Sequence, residues 1–171
     1  MPGKLIAFLA VTSLFAGCYF SGASRSGELA SGIARVTLNQ STADNVPLPL
    51  GNTLTIVNLF DEFSTGCPTG NRFDTMERLS SSRTAGITML LIFSDKHFSD
   101  QDLGNFKAIL PMPDSLVRGD IEPIRPHLTS GKLLVVLDAK GSVLWQEEPN
   151  TSEQQVFIEI SKLINSANKK L

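Results

Sequence analysis

Thiols and imidazoles are scarce in this chain: it has two cysteines, Cys18 and Cys67, and two histidines, His97 and His127. That scarcity excludes a disulfide-stapled scaffold and a cysteine-cluster metal site. Charge of one sign is also missing. Fifteen basic residues face seventeen acidic ones, interspersed, for a formal net charge of −2. No polybasic stripe of the kind that reads nucleic acid or grips a membrane surface stands out, so no nucleic-acid partner is expected. No internal repeat is visible.

What is present begins with an unusual start. "MPGK" supplies one positive charge, and "LIAFLAVTSLF" is an apolar segment too short and too interrupted by Thr12 and Ser13 to span a bilayer as a mature helix. "LFAGC" then sets Ala16 and Gly17 before Cys18, which resembles the lipobox of bacterial lipoproteins, with Phe15 where leucine is more usual. The resemblance implies cleavage after residue 17, lipid on Cys18 and export from the cytoplasm to the cell envelope. An ordinary secretory signal with Cys18 incidental is the alternative. Residues 18–33 are Ser/Gly-rich without sustained apolar period and are expected to be a flexible, lipid-anchored tether. Residues 34–171 have the length of one domain with a proper core.

Within that domain, "NTLTIVNLF" (52–60) and "GITMLLIFSD" (86–95) are continuous apolar runs expected to be buried strands. Between them, Phe73, Met76 and Leu79 recur at helical spacing over 68–82, with Pro68 suited to the first turn. Ser99 and Asp102 form a capping-box pattern opening a helix that ends at the prolines of "PMP". The 114–131 stretch is expected to give a short strand and a Pro-broken helical turn. "KLLVVLD", "AKGS" and "VLWQEE" read as an antiparallel hairpin. A capped amphipathic helix follows, with Val156, Phe157, Ile160, Leu163 and Ile164 in one stripe. "GIARVTLNQ" (32–40) adds a further candidate strand. The order predicts an α/β domain, a mixed central sheet flanked by helices. Trp145 is expected to pack on the last helix, and the glutamates of "QEE" to be solvated.

The same order is that of the thioredoxin fold, and the resemblance becomes specific at "FSTGCPTG" (63–70). Cys67 follows the first central strand and precedes the next helix, where thioredoxin-like proteins carry the reactive thiol. The local pattern is similar to that of peroxiredoxins, and "LLVVLDAKGSVLW" resembles the Asp-x-x-Gly hairpin shared by the superfamily. Another three-layer α/β/α fold is the alternative. Departures are informative. Phe60 replaces the peroxiredoxin proline seven residues before the cysteine, and Gly70 replaces the second cysteine of a Cys-x-x-Cys pair. Lys132 stands where oxidoreductases have a cis-proline and peroxiredoxins an arginine, and lysine lacks the planar fork of arginine.

A thiol beside a helix N-terminus meets unsatisfied N–H groups and the positive end of the dipole, which favour thiolate. The resemblance therefore implies Cys67 as nucleophile, Ser64 orienting substrate, and Thr69 and Gly70 offering backbone amides. Arg72 or Lys132 would supply positive charge. With no resolving thiol, sulfenate would need an external thiol reductant. A rival from another class stays open: a non-catalytic thioredoxin-fold module that holds an envelope protein. No cofactor is expected. A metal site joining His97 or His127 to Cys67 and Asp95 is disfavoured, because Asn71 occupies the position where copper-delivery relatives place a second cysteine. Oligomeric state is not legible.

Overall fold

Leu54 to Phe60 are all buried, as a strand covered on both faces must be. In the computed structural model this strand is β3, an interior strand of a seven-stranded sheet. The structure describes residues 20–39, 45–47, 53–62, 69–82, 86–110 and 116–169. The elements are α1 (Phe20–Ile33), β1 (Thr37–Asn39), β2 (Asn45–Pro47), β3 (Leu54–Phe60), α2 (Thr69–Ser80) and β4 (Ile87–Ser94). They continue with α3 (Asp100–Ile109), β5 (Leu116–Asp120), a 3-10 helix (Glu122–His127), β6 (Lys132–Asp138), β7 (Val143–Gln146) and α4 (Glu153–Asn168). The spatial strand order is β2-β1-β5-β4-β3-β6-β7. β3, β4 and β5 run parallel, whereas β6 runs antiparallel to both β3 and β7. At the other margin, β1 is antiparallel to β5 and to β2.

Side chains alternate between the two faces of the sheet. Ile56, Met89, Leu134 and Val136 meet Met76 and Leu79 of α2 and the Val156–Ile160–Ile164 stripe of α4. Trp145 packs against this cluster, as the sequence predicts. Toward the C-terminal ends of β3 and β4, Phe60 and Phe93 stack at 5.2 Å, and Phe106 of α3 stacks on Phe93 at the same distance. The opposite face, with Val57, Leu59, Ile92 and Val135, is covered by Leu29 and Ile33 of α1 and by Ile121 and Ile124 around the 3-10 helix. Two residues break the apolar pattern of β3: Thr55 and Asn58 are fully buried, and among the described residues neither the Thr55 hydroxyl nor the Asn58 amide has a hydrogen-bond partner.

The predicted capping box of Ser99 with Asp102 is present on α3, and the cap expected on α4 is a second box, Ser152 with Gln155. Asp138 caps the hairpin turn by accepting from the Lys140 and Ser142 backbone N–H groups at 2.8 Å each, and Gly141 there has a φ of 81°. The predicted tether is corrected from Phe20 onward. That stretch is helical, and Leu29 and Ile33 are each 1 % exposed. Its small residues matter for contact: a Cβ on Gly32 would lie 2.8 Å from Ile124 and 2.9 Å from the Pro123 carbonyl oxygen, so only glycine lets α1 approach the 3-10 helix. The signal segment and Cys18 lie outside the described residues. Among the described residues no helix is long and apolar enough to cross a membrane.

Candidate functional site

The C-terminal ends of parallel strands and the N-terminus of the following helix form one rim of the sheet. Here that rim holds the end of β3, the end of β4, the start of β6 and the first turn of α2. The connection carrying Ser64 and Cys67, between β3 and α2, lies outside the described residues, so their geometry adds nothing to the sequence position. Thr69 and Gly70 are the first two residues of α2, where backbone N–H groups lack intrahelical acceptors.

Lys132 opens β6 and pairs in register with Phe60, the last residue of β3. That register puts it on the rim, and among the described residues no carboxylate pairs with it. The turn before it is closed on itself. Thr129 N–H donates to the Lys132 carbonyl at 2.9 Å and Lys132 N–H donates back to Thr129 at 3.1 Å. Ser130 and Gly131 at its tip have φ of 51° and 72°, a left-handed pair suited to a two-residue hairpin. Among the described residues no peptide bond is cis. The Gly131 carbonyl also accepts from Asp61 N–H at 2.8 Å, fastening this turn to the end of β3.

Arg72 is in a different situation from the one its nearness to Cys67 suggests. It is 1 % exposed, and its guanidinium is shared by two carboxylates. Nε donates to both oxygens of Glu153 at 2.9–3.0 Å, while Nη1 and Nη2 donate to the two oxygens of Glu147 at 3.0 and 2.5 Å. Burial by itself would lower the Arg72 pKa, but the hydrogen bonds and charges of Glu147 and Glu153 outweigh it and hold the pKa above its ordinary value. The expectation that Arg72 supplies charge to a thiol is corrected: its charge is committed to joining α2, the end of β7 and the start of α4. The solvated reading of "QEE" is corrected with it, since the Glu147 side chain is only 10 % exposed. A signal for burial was available, because Arg72 precedes Met76 by four residues and so shares the apolar face of α2.

A second ion pair was not anticipated. Asp61, the residue after β3, is 8 % exposed and meets Arg125 of the 3-10 helix through two contacts at 3.0 Å. Arg125 also donates to Glu122 at 2.8 Å, and His97 Nε2 stands 3.7 Å from Asp61. The end of β3 and the 3-10 helix are thereby tied together, with His97 alongside. Among the described residues no three His, Cys, Asp or Glu side chains converge as a metal site.

This architecture, a β-α-β unit joined to an antiparallel hairpin and a covering helix, with a helix N-terminus at the functional rim, is the thioredoxin-like α/β fold. Solved structures of that fold superpose on it. A thioredoxin-like protein from Aeropyrum pernix gives a TM-score of 0.57 at 17% identity, covering 83% of this chain and 98% of that one. Yeast Sco1 with copper bound gives 0.52 at 16% identity over 76% of this chain and 90% of its own. The pneumococcal exposed lipoprotein thioredoxin of Streptococcus pneumoniae gives 0.51 at 10% identity over 74% and 97%. At such identities the likeness is one of fold. No protein-family model and no curated relative matches the chain.

Proposed function

We propose that this chain is a lipid-anchored protein of the cell envelope whose Cys67 performs single-thiol redox chemistry, reducing a peroxide or a disulfide at the expense of an external thiol. The observation that carries the reading is positional. Cys67 falls between the end of β3 and the start of α2, and the β3–β6 register brings Lys132 to the same rim. In the peroxide version, the Cys67 thiolate attacks one peroxide oxygen and the O–O bond breaks. Cys67 becomes sulfenic acid, and the other oxygen leaves as alcohol or water after taking a proton. One external thiol then forms a mixed disulfide and releases water. A second restores Cys67 and leaves as the oxidised disulfide. Ser64 is assigned to orient the peroxide, the Thr69 and Gly70 amides and Lys132 to favour the thiolate. Arg72 has no part in it.

The full commitment of Arg72 and the self-closed trans turn before Lys132 favour a second reading, a binding module on the same fold that holds an envelope protein without chemistry. Alkylation of the mature domain as a function of pH separates the two. A redox Cys67 reacts in the folded state with a midpoint below the free-thiol value of about 8.5. Reaction only above that value, or only after denaturation, removes the redox reading. Peroxide consumption equal in wild type and Cys67→Ser removes the peroxidase version alone.

A further inference from the structure

We propose that the groove between the end of β7 and the start of α4 is a docking site for a lysine or arginine side chain of a partner protein. The site requires no chemistry at Cys67 and stands whether the chain is a redox protein or a binding module. The groove has a volume of about 370 Å³. Trp145 and Gln146 line it from β7, Glu148 and Thr151 from the following turn, and Gln155 and Glu159 from α4. Trp145 is the single tryptophan of the chain. It packs against the cluster under α4 yet stays partly exposed, so the indole is shared between core and groove.

Charge complementarity selects a cation. Residues 141–161 contain four glutamates and no lysine, arginine or histidine. Two of the four, Glu147 and Glu153, share the one guanidinium of Arg72, which leaves that junction with an acid in excess. Among the described residues the Glu148 carboxylate has no partner. Glu159 is paired with Lys162, one turn along α4, at 2.8 Å. That lysine is 64 % exposed, and an ion pair of this kind is weak enough for an incoming cation to share the carboxylate. The positive end of α4 would oppose a cation, but the Ser152–Gln155 capping box and Glu153 in the first turn answer it.

Placement adds to charge. The Thr151 hydroxyl accepts from the Glu148 N–H at 3.1 Å and donates to the Glu148 carbonyl at 2.8 Å, so the backbone that carries this carboxylate is held in place. A ring beside carboxylates attracts a cation through its quadrupole as well as through their charge. The same helix already shows such a pairing, with the Arg78 guanidinium 4.0 Å from the centroid of the Phe157 ring. An apolar neighbour favours a protein segment over a free amine. Ile158, three residues on from Gln155 and so beside it on the surface of α4, is 41 % exposed. A partner can set its basic residue in the groove and an adjoining apolar side chain on Ile158, with no strand pairing to β7.

The emission of Trp145 reports the groove directly, since no other tryptophan contributes. The purified full chain is titrated with the capped peptide Ala-Leu-Lys-Leu-Ala, with the same peptide carrying glutamine for lysine, and with tetramethylammonium chloride, all at one ionic strength. A saturable change with the lysine peptide is expected, about fivefold or more weaker for the glutamine peptide and for a Glu148→Gln, Glu159→Gln chain. Glu148→Gln alone breaks no side-chain bond among the described residues, so its weakening of about twofold or more is readable even if the double variant fails to fold. Absence of a saturable change, equal affinity for the two peptides, or unchanged affinity in Glu148→Gln overturns the proposal. Tetramethylammonium binding as tightly as the lysine peptide overturns it too, because the groove would then take free amines rather than a protein segment.

Discussion

Arg72, in the first turn of α2, and Lys132, at the start of β6, are cations on the same rim of the sheet in opposite circumstances. Arg72 is buried and held by four or more hydrogen bonds to Glu147 and Glu153. Lys132 is half-buried and, among the described residues, has no acidic partner. Closeness to Cys67 in sequence favours Arg72 as the helper of a thiol, yet its charge is already shared by Glu147 and Glu153, and of the two cations only Lys132 lacks an acidic partner among the described residues. The difference teaches that a cation's availability is set by what it is already neutralising, and that a buried guanidinium between two carboxylates is a structural junction.

The widest gap between the two is expected in stability. Arg72→Met leaves two partly buried carboxylates facing each other and should cost about 2–4 kcal/mol in urea unfolding, whereas Lys132→Met should cost less than about 1. Adding Glu147→Leu and Glu153→Leu to Arg72→Met should recover most of the loss, and failure to recover would mean the junction contributes more than charge compensation. A raised arginine pKa stabilises the fold at every pH below its unfolded value and is lost only above the folded one, so no alkaline transition from this junction is expected in the ordinary range.

Next in size is Gly131→Ala, in the turn that sets Lys132. The φ of 72° and a Cβ 3.2 Å from Glu62 Cγ predict a loss of about 1–2 kcal/mol, read as a lowered unfolding midpoint. In reactivity the order of the cations should reverse. Lys132→Met is expected to slow Cys67 alkylation at pH 7 about threefold to tenfold, the effect of losing one nearby charge. A folded Lys132→Met variant with an unchanged alkylation profile would sever the lysine from the thiol.

The smallest effects belong to exposed carboxylates that, unlike the Arg72 junction, titrate within reach. Ser99, through its hydroxyl and then its backbone N–H, holds Asp102 below the usual carboxylate range; the Ser142 backbone N–H, with that of Lys140, does the same for Asp138. Each contributes stability present above the unfolded value of about 3.9 and lost as pH falls through the lowered folded value. Asp102→Asn and Asp138→Asn should each slightly lower the neutral plateau of an unfolding-versus-pH curve and flatten its acid limb, converging on the wild-type stability at low pH.

Elements whose causes are local were legible in the sequence. β3, β4, β6 and their helices follow from apolar runs, capping boxes and the Asp-x-x-Gly turn, each readable within about a dozen residues. α1 was not, because "FSGASRSGELASGI" has little intrinsic helical preference and is fixed by Leu29 and Ile33 entering a core built from distant strands. The Arg72–Glu147 bond joins residues 75 positions apart and leaves no local trace beyond a cation on an apolar helix face. Asn58 was passed over for the same reason: inside "TIVNLF" it reads as one polar residue in a strand, and its burial without a partner is visible only once both faces are covered. Of the candidate site, Lys132 and the opening of α2 were located from sequence, while the Asp61–Arg125 pair depends on the 3-10 helix returning to the end of β3.

An open sheet has two free margins, and both are poor templates here. β2 is three residues long and ends in Pro47, which has no N–H to offer a neighbour. β7 is four residues long and shifts register against β6 between Val136 and Leu137. Among the described residues, a strand from another chain would find short, irregular backbone to copy at either margin. The molecule is therefore expected to stay out of strand-exchanged dimers and fibrils at concentrations where a flat-edged sheet of this size would begin to seed them.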